Sequence, residues 1–543
     1  MATGMVFERD GIGRTGLGLG PAAGMALMEE LGIPDLIDEA CEFDAQRILT
    51  PGKAAKAIIG TMFTQNNKKA LRNVAPFYSM APVSSLFGER VGLRSLNDNA
   101  LGRNLETIFE ADTEALLYRI ASRVKGLMQL SSFMFNFDPS NVTIYRSAGE
   151  EYGELPPGAP VPKLGHPKDG SEGLVQYNFC AAVDGDGIPV YMKAHDGNTD
   201  DTTMISMAVR FVEKLMESET IVAVGDGKMV TKDLVRHMMA VGTRFASKPP
   251  QKYADNVAGS VAEEAIRKGF TAVGRIGKRQ DSPEYEVYDT DRECYGDVLR
   301  FVAYRKTDRS KTVRHWKRVD EVEVKRIVKS FSQKSFGTYD EAVKARDGAV
   351  AELKGSAWSL NPTIRSRTSY KGGGEWKVSF KPSFDEAYAY RLAEQDVEVI
   401  VTNIPRTEAP AKDIREGGTA RDVLAVYTGQ WRVEGLFSEM KSGLGADEVF
   451  FQNPDREAVM LFLLTVGAMV RRVLMIRLRR EYGKGFGIPE NITSAGFFAM
   501  VQNVDVTLGP DGRSLRLEGS DDDRATALSL IDALGIDPTG LLG

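Results

Sequence analysis

The amino-acid sequence predicts an α/β protein in which a mixed sheet flanked by helices is interrupted by a β-rich insertion domain and preceded by an N-terminal helical domain. Three observations support this fold class. Strand and helix signals alternate in residues 130–248, which is typical of an α/β layer. The alternation stops in residues 249–395, where aromatic and β-branched runs predict strands. Residues 1–129 instead have the apolar spacing and start signals of helices.

The N-terminal domain, residues 1–129, is predicted to be helical from Gly20 to about Gln129. Thr50 followed by Pro51 is a typical helix start, because the proline ring fits the first helical position. Residues 54–62 are apolar and helix-forming, and residues 97–109 predict another helix. The domain carries basic residues that could bind nucleic acid, namely Lys68, Lys69, Arg72 and Arg103. It could equally form a dimerisation bundle, and the sequence leaves both open.

Residues 130–248 are predicted to form the first part of the α/β core. Strands are expected near 133–138, 175–184, 188–194, 220–226 and 243–247, and helices near 203–218 and 229–241. Asp138 and Asp226 each end one of these strands. Acidic side chains at the carboxyl ends of strands in an α/β sheet lie where ligands and metals usually bind. The alternative for each is a turn or capping aspartate, and Gly227 favours a turn after Asp226.

Residues 249–395 are predicted to form a basic, β-rich insertion domain, with strand candidates at 285–288, 299–304 and 376–380. The segment 299–334 contains 12 Lys or Arg residues against 4 acidic residues, and it also contains Tyr304, His315 and Trp316. Such a segment could follow phosphates and stack on bases. Its central cations are Arg314, Lys317 and Arg318. The alternative is a solvated helical face, which charge runs often form.

Residues 396–480 are predicted to complete the core with an amphipathic helix around Glu434. Thr419 and Asp422 have capping-box spacing, and glycines follow at 443 and 445, so a helix of about 24 residues is expected. An apolar stripe at helical spacing would pack this helix on the sheet and place Glu434 beside the core. The stripe consists of Val433, Leu436, Phe437, Met440 and Leu444.

One face of the same helix is predicted to carry polar functional groups. At about 100° per residue, Gln430, Glu434 and Lys441 project within roughly 40° of one another, with Tyr427 at the edge of that sector. An ordinary amphipathic helix with solvated Glu and Lys side chains is the alternative. The last segment, residues 481–543, is Gly-rich and acidic and is predicted to be peripheral.

Composition excludes several other classes of protein. The formal net charge is −6, so a nucleic-acid binder with this sequence must concentrate its cations locally. Three cysteines without CxxC spacing indicate neither a disulfide framework nor a zinc site. The GDGK sequence that ends at Lys228 is not a phosphate-binding loop, so no nucleotide cofactor is expected. No signal peptide or membrane span is expected, because the apolar run 458–470 is too short and predicts a buried core helix.

The order of the three acids, Asp138, Asp226 and Glu434, with a long insertion before the glutamate, resembles bacterial insertion-sequence transposases of the DDE class. Those enzymes have a ribonuclease H-like catalytic core. More narrowly, the sequence resembles the subgroup with the Tyr-Arg-Glu-Lys signature, in which two, three and six residues separate the four successive positions. Tyr427, Glu434 and Lys441 match this spacing, whereas Gln430 occupies the Arg position.

The resemblance implies a mechanism and partners. Asp138 would be the shared ligand and Asp226 and Glu434 the outer ligands of two Mg²⁺ ions, which Mn²⁺ could replace. Tyr427, Lys441 and, in place of the usual Arg, Gln430 would contact phosphates near the end of the element. The partners would be the terminal inverted repeats and target DNA, bound by a homodimer in the bacterial cytoplasm at the nucleoid. The alternatives are a nuclease without strand transfer and a catalytically silent descendant, which Gln430 favours.

Overall fold

The structure is a computed structural model that falls into two compact units. The first unit comprises Met1–Ser247 and Val426–Gly543, and the second comprises Lys248–Ala425. The helical N-terminal residues therefore belong to the same unit as the residues of the predicted core. The structure describes residues 16–64, 70–130, 132–147, 155–165, 173–216, 219–250, 257–277, 282–369, 373–439, 453–489, 492–508 and 515–542.

The N-terminal part of the first unit is helical, as predicted. The side chain of Thr50 caps the third helix by accepting a hydrogen bond from the Lys53 backbone N–H at 3.4 Å. A Cβ atom at Gly52 would lie 2.0 Å from the Pro34 carbonyl oxygen, so the second and third helices approach closely. The elements are β1 (Gly16–Gly18), α1 (Leu19–Glu30), α2 (Ile33–Ala40), α3 (Pro51–Gly60), α4 (Val74–Phe77), α5 (Val83–Phe87), α6 (Asp98–Glu110) and α7 (Thr113–Met128).

The sheet of the first unit is mixed, which confirms the predicted fold class. Its elements are β2 (Met134–Ser147), β3 (Lys163–Leu164), β4 (Leu174–Asp184), β5 (Pro189–His195), α8 (Asp201–Met216), β6 (Val222–Gly225), α9 (Lys232–Val241) and β7 (Arg244–Ser247). Strands β4, β2, β6 and β7 lie side by side, and both β3 and β5 pair with β4. The β2–β4 pair is antiparallel, whereas β2, β6 and β7 run parallel.

The second unit contains more helix than the sequence predicts. Its elements are α10 (Gly259–Lys268), β8 (Thr271–Arg275), β9 (Glu284–Cys294), β10 (Asp297–Lys306), α11 (Ser310–Ser332), α12 (Tyr339–Glu352), β11 (Trp358–Ser359), β12 (Pro362–Ser369), β13 (Gly373–Phe380), β14 (Ser383–Phe384), α13 (Glu386–Glu394), β15 (Glu398–Thr402) and α14 (Ala420–Tyr427), the last of which continues into the first unit. Among the described residues, seven strands, β8 to β14, lie within the predicted insertion domain together with four helices. The longest helix, α11, packs through a narrow apolar stripe, including Val324, Ile327 and Phe331, despite its many charges.

The chain returns to the first unit with a helix that follows the predicted Glu434 segment and with a long buried helix. These elements are α15 (Trp431–Ser438), α16 (Pro454–Arg480), α17 (Ser494–Val501), β16 (Asp505–Leu508), β17 (Leu515–Glu518) and α18 (Asp521–Leu534). By length and composition alone α16 could cross a membrane. Most of its apolar residues are buried inside the protein, which confirms the predicted core helix.

The C-terminal segment is not peripheral, and that prediction was wrong. Strand β16 pairs with β1 in the register Leu17 to Val506, so the two ends of the described chain form one small sheet with β17. The apolar side chains of Val504 and Leu534 are fully or almost fully buried. The acidic and glycine-rich composition of the segment concealed this packing, because only a few apolar positions make the contacts.

Candidate active site

Asp138 lies in strand β2, and Asp226 directly follows the neighbouring parallel strand β6. The register between β2 and β6 pairs Phe135 with Ala223 and Asn136 with Val224. Asp138 lies two residues beyond Asn136 in β2, and Asp226 lies two residues beyond Val224 and directly follows the last residue of β6. Neighbouring strands are about 4.8 Å apart, so the backbones that carry these two carboxylates belong to adjacent strand segments. The sequence predicts that Asp138 ends its strand, but the residue lies inside the long strand β2.

The β2–β4 register shows which face of the sheet Asp138 belongs to. Asp138 pairs with Ala181, and Ser140 pairs with Phe179. Because paired residues and alternate residues share a face, Phe179 and Asp138 project to the same side of the sheet. The Phe179 ring contacts the ring of Phe437 in α15, with centroids 5.3 Å apart. Helix α15 therefore covers the face that carries Asp138.

Helix α8 covers the opposite face. Phe137 pairs with Ala182, and Ala182 pairs with Tyr191 of β5. The Tyr191 ring lies 5.1 Å from the ring of Phe211 in α8. Since Phe137 precedes Asp138 in the strand, these contacts place α8 on the side away from Asp138. The sheet is therefore flanked by a helix on each face, and the acidic residue lies on the side of α15.

Glu434 lies in the helix that covers the Asp138 face. Val433, Leu436 and Phe437 are buried, as the predicted apolar stripe requires, whereas Glu434 is exposed. Glu434 precedes Phe437 by one helical turn, so it belongs to the segment that packs on β2 and β4. The structure thus brings Glu434 to the same side of the sheet as Asp138.

Asp226 also has the local role that a turn aspartate would have. Its Oδ1 atom accepts a hydrogen bond from the Lys228 backbone N–H at 2.9 Å and caps the short 3₁₀ turn Gly227–Met229. The Ser247 hydroxyl donates to the Asp226 carbonyl oxygen at 2.6 Å, which holds the strand end in place. A carboxylate has about four lone-pair sites, so capping and metal ligation are compatible at this residue.

The donor atoms suit a hard cation, but the side chains do not form a closed ligand set. Carboxylate oxygens are the ligands that Mg²⁺ prefers. Among the residues that the structure describes, no group of three or more His, Cys, Asp or Glu side chains is arranged to hold a metal ion. Asp138 and the helix of Glu434 lie on one face of the sheet, Asp226 follows the neighbouring strand, and all three side chains have the oxygen ligands that Mg²⁺ prefers.

The predicted single helix around Glu434 is interrupted. Helix α14 ends at Tyr427, the 3₁₀ turn Thr428–Gln430 follows, and α15 begins at Trp431. A 3₁₀ turn advances by about 120° per residue, so Tyr427 and Glu434 do not have the angular relation of one continuous α-helix. Tyr427 is buried, with only 7% of its surface exposed, which differs from the predicted phosphate contact. The side chain of Gln430 and the whole of Lys441 lie outside the described residues.

The capping box that the sequence predicts at the start of this region is present. The Thr419 hydroxyl accepts a hydrogen bond from the Asp422 backbone N–H at 3.3 Å, and the Asp422 carboxylate accepts one from the Thr419 N–H at 3.0 Å. This reciprocal pair gives α14 a defined start. Burial alone would raise the pKa of the Asp422 carboxyl group, but the hydrogen bonds from the Ala411 and Thr419 backbones and from the Thr419 side chain bring it below its ordinary value.

An ion pair that the sequence did not predict anchors the end of α15. Glu439 directly follows the helix, and its carboxylate accepts a hydrogen bond from Arg471 of α16 at 2.6 Å. The Arg471 side chain is only 4% exposed, also donates to the Met62 carbonyl oxygen, and lies over the Phe498 ring. Burial lowers the pKa of the Arg471 guanidinium, and Glu439 opposes that shift.

The basic segment 299–334 does not form one continuous surface. Arg300 is buried in β10 and binds the Asp289 carboxylate at 2.7 Å, so it has an internal role. By contrast, Arg314, Lys317 and Arg318 lie on the exposed part of α11. Arg314 donates to the Ser310 carbonyl oxygen within its own helix. Most exposed cations of the segment therefore lie in α11, and Lys306 and Lys334 are exposed outside this helix.

A family model for the transposase DDE domain matches residues 156–470, which is more than half of the chain. The chain belongs to the DDE transposase family. Its mixed sheet flanked by helices is consistent with the ribonuclease H-like core of these enzymes. A model described as a domain of unknown function (DUF4277) matches residues 21–122 of the transposase. No curated protein matches the chain.

The family match covers only part of the candidate site. Asp226 and Glu434 lie inside the matched range of the transposase, whereas Asp138 precedes it. The assignment of Asp138 therefore depends on the β2–β6 register rather than on the match. The family implies DNA binding and, in general, the use of divalent metal ions.

Proposed function

We propose that this transposase cleaves DNA at the ends of its insertion sequence and joins the resulting 3′-hydroxyl strands to target DNA. Asp138, Asp226 and Glu434 are the proposed catalytic carboxylates. The observation that supports this proposal most strongly is that Asp138 lies in β2 beneath the helix that carries the glutamate, while Asp226 directly follows the adjacent parallel strand β6. Carboxylates that converge on one face of a sheet are what a phosphoryl-transfer site requires.

Asp138 is proposed as the ligand shared between two Mg²⁺ ions, with Asp226 and Glu434 as the outer ligands. Helix α15 packs on β2 and β4, whereas Asp226 follows β6 on the other side of β2. Asp138 consequently lies on the strand between the elements that carry its two partners. Mg²⁺, or Mn²⁺ in its place, would supply activation of the attacking hydroxyl and stabilisation of the leaving oxygen.

The exposed position of Glu434 is compatible with this assignment. Carboxylates that approach closely repel one another, and the repulsion is relieved only when a cation compensates their charge. An exposed glutamate keeps the rotamer freedom to turn toward Asp138 when that charge is supplied. The buried partners Val433 and Phe437 would hold the helix backbone in place during this reorientation.

The signature residues and the basic helix are proposed to handle the DNA. We assign Gln430 and Lys441 to phosphates near the transposon end, in keeping with the Tyr-Arg-Glu-Lys subgroup. Tyr427, the remaining signature residue, does not share this assignment because its side chain is buried. Arg314, Lys317 and Arg318 are assigned to further phosphates because they are exposed on one helix. A homodimer of the transposase would bind the two ends of the insertion sequence.

The Asp138→Asn variant tests the catalytic assignment. We expect it to lose cleavage of a duplex carrying the element's end in Mg²⁺, while binding to the same duplex is retained, because phosphate contacts supply most of the affinity. Mg²⁺ should raise the Tm of the parent more than that of the variant, since a bound ligand stabilises the folded state. Asp233→Asn, an exposed aspartate of α9, is the matched control and should cleave like the parent. Equal cleavage by Asp138→Asn and the parent would refute the assignment.

Replacing Arg314, Lys317 and Arg318 together by Gln tests the basic helix. We expect the slope of log affinity against log salt to become shallower by about 0.9 for each phosphate that the protein no longer neutralises. An unchanged slope would leave α11 as a solvated helix without a role in DNA binding.

The second candidate is a catalytically silent DNA-binding descendant, and Gln430 is the observation that favours it. Gln430 can form hydrogen bonds but lacks the charge that a phosphate prefers. If the parent is inert and Gln430→Arg restores cleavage and joining, the silent descendant is correct. If the parent is active, we expect Gln430→Ala to lose a modest part of the activity and Gln430→Arg to bind the end at least as tightly. Loss of activity in Gln430→Arg would reject the phosphate assignment.

A further inference from the structure

Strands β12 and β13 form a two-stranded antiparallel ribbon whose two faces differ in chemistry. One face carries Ile364, Trp376 and Val378, which pack in an apolar cluster with residues of α11 and α12. Side chains alternate between the faces of a strand, so the residues between these positions project to the other side. The ribbon is therefore held by one face and presents the other to solvent.

The outward face contains two cations placed directly opposite each other. The register pairs Thr363 with Ser379 and Arg365 with Lys377. Cβ atoms of such pairs are about 4.5–5.5 Å apart, and like charges at this spacing destabilise the pairing of the strands. Lys381 follows the ribbon and is exposed like Arg365.

Among the residues that the structure describes, no carboxylate forms an ion pair with these cations, Arg365, Lys377 and Lys381. Glu375 is also exposed on the outward face, but the register pairs it with residue 367 and not with Lys377 or Arg365. The face thus keeps a net positive charge together with the hydroxyl groups of Thr363 and Ser379.

We propose that the outward face of this ribbon binds double-stranded DNA, with Arg365 and Lys377 as its phosphate-contacting pair. The identity of the partner rests on the proposed function. A two-stranded ribbon has the width of the B-DNA major groove, and phosphates would remove the repulsion that the paired cations suffer in the free protein. The hydroxyl group of Thr363 can donate a hydrogen bond to a phosphate oxygen or a base edge, whereas that of Ser379 already donates to the Thr363 carbonyl oxygen at 3.4 Å.

The test compares the full-length parent with Arg365→Gln/Lys377→Gln. Affinity for a duplex carrying the element's end is measured by fluorescence anisotropy over a range of salt concentrations. We expect the slope of log affinity against log salt to fall by about 0.9 for each phosphate that is no longer neutralised, and affinity at about 0.1 M salt to fall roughly tenfold for each such phosphate. The matched control is Lys344→Gln/Lys354→Gln, which removes the same charge from two exposed lysines of the same unit.

A second measurement separates DNA binding from folding. Removal of the like-charge pair should leave the Tm of the free protein unchanged or raise it, so weaker DNA binding would not reflect unfolding. Equal slopes for the ribbon variant and the parent, or equal decreases in affinity for the ribbon and control variants, would overturn the inference. A change in self-association without a change in DNA binding would also overturn it. If the parent itself bound no duplex, both the proposed function and the inference about the ribbon would be rejected. If the parent bound the duplex with the same affinity as the ribbon variant, only the inference about the ribbon would be rejected.

Discussion

The ion pair between Glu439 and Arg471 leads to a quantitative prediction about the helix that carries Glu434. Replacing Glu439 by Gln keeps the size of the side chain and one hydrogen-bond acceptor but removes the charge. The Arg471 guanidinium, only 4% exposed, would then lack its carboxylate partner. Removing one member of a buried ion pair typically costs about 3–5 kcal/mol. Glu439 is 27% exposed and a cavity of about 210 Å³ lies beside the pair, so solvent relieves part of this cost. We expect a decrease near the lower end, about 3 kcal/mol in the free energy of unfolding.

The double variant Glu439→Gln/Arg471→Met should be more stable than Glu439→Gln alone. It removes the buried charge and leaves an apolar side chain beside Phe498, where the guanidinium now lies 4.6 Å from the ring centroid. A remaining destabilisation of about 1–3 kcal/mol is expected, because the Met62 carbonyl oxygen loses its donor. Urea unfolding monitored by circular dichroism measures all three proteins.

The control is Glu481→Gln, which removes the carboxylate of the Lys484–Glu481 pair in the same unit. That lysine is 58% exposed, and such pairs contribute about 0–1 kcal/mol. The reasoning fails if Glu439→Gln is no more destabilising than this control, or if adding Arg471→Met makes it worse. Because Glu439 follows α15, we also expect Glu439→Gln to reduce DNA cleavage more than DNA binding.

Two further predictions concern other parts of the first unit. Burial, followed by the charge of Lys193, lowers the pKa of His195 to about 4. Between about pH 6.5 and 4 the unfolded state therefore binds a proton that the folded state does not. The free energy of unfolding should consequently decrease as the pH falls through this range. His195→Gln should flatten this dependence by up to about 1.4 kcal/mol per pH unit in urea unfolding, and an unchanged pH profile would contradict the assignment. Gly52→Ala should lower the Tm because the added Cβ would clash with the Pro34 carbonyl oxygen. Gly126→Ala lies in open space within α7 and should stabilise the protein by about 0.5–1 kcal/mol. Thermal melts in which Gly52→Ala has the higher Tm of the two variants would contradict the packing argument.

Local signals predict most of the elements of the first unit. Strand β4 is predicted at 175–184 and spans Leu174–Asp184, and α8 is predicted at 203–218 and spans Asp201–Met216. Caps also follow from neighbouring residues, as the Thr50 cap and the Thr419–Asp422 pair show. These features depend on residues within a few positions of one another, so the sequence contains what they require.

Long-range contacts decided what the local signals left open. The predicted continuous helix around Glu434 is broken at Thr428–Gln430, although its apolar stripe suggested no interruption. The basic character of Arg300 did not reveal that Asp289 would bind it, because the two residues meet only when β9 and β10 pair. The packing of the C-terminal segment likewise depends on β1, almost the whole chain length away.

The sequence by itself determined the order of the strands and helices in residues 130–248, the caps at Thr50 and Thr419, the buried core helix and the three acidic residues that resemble a transposase site. It could not determine that the strand of Asp138 lies beside the strand that Asp226 follows, or that α15 covers the face that carries Asp138. Those relations arise from pairing and packing between residues that are about 90 to 300 positions apart in the chain. Periodicity within one element shows which of its faces is apolar, but only the tertiary contacts decide which element that face meets.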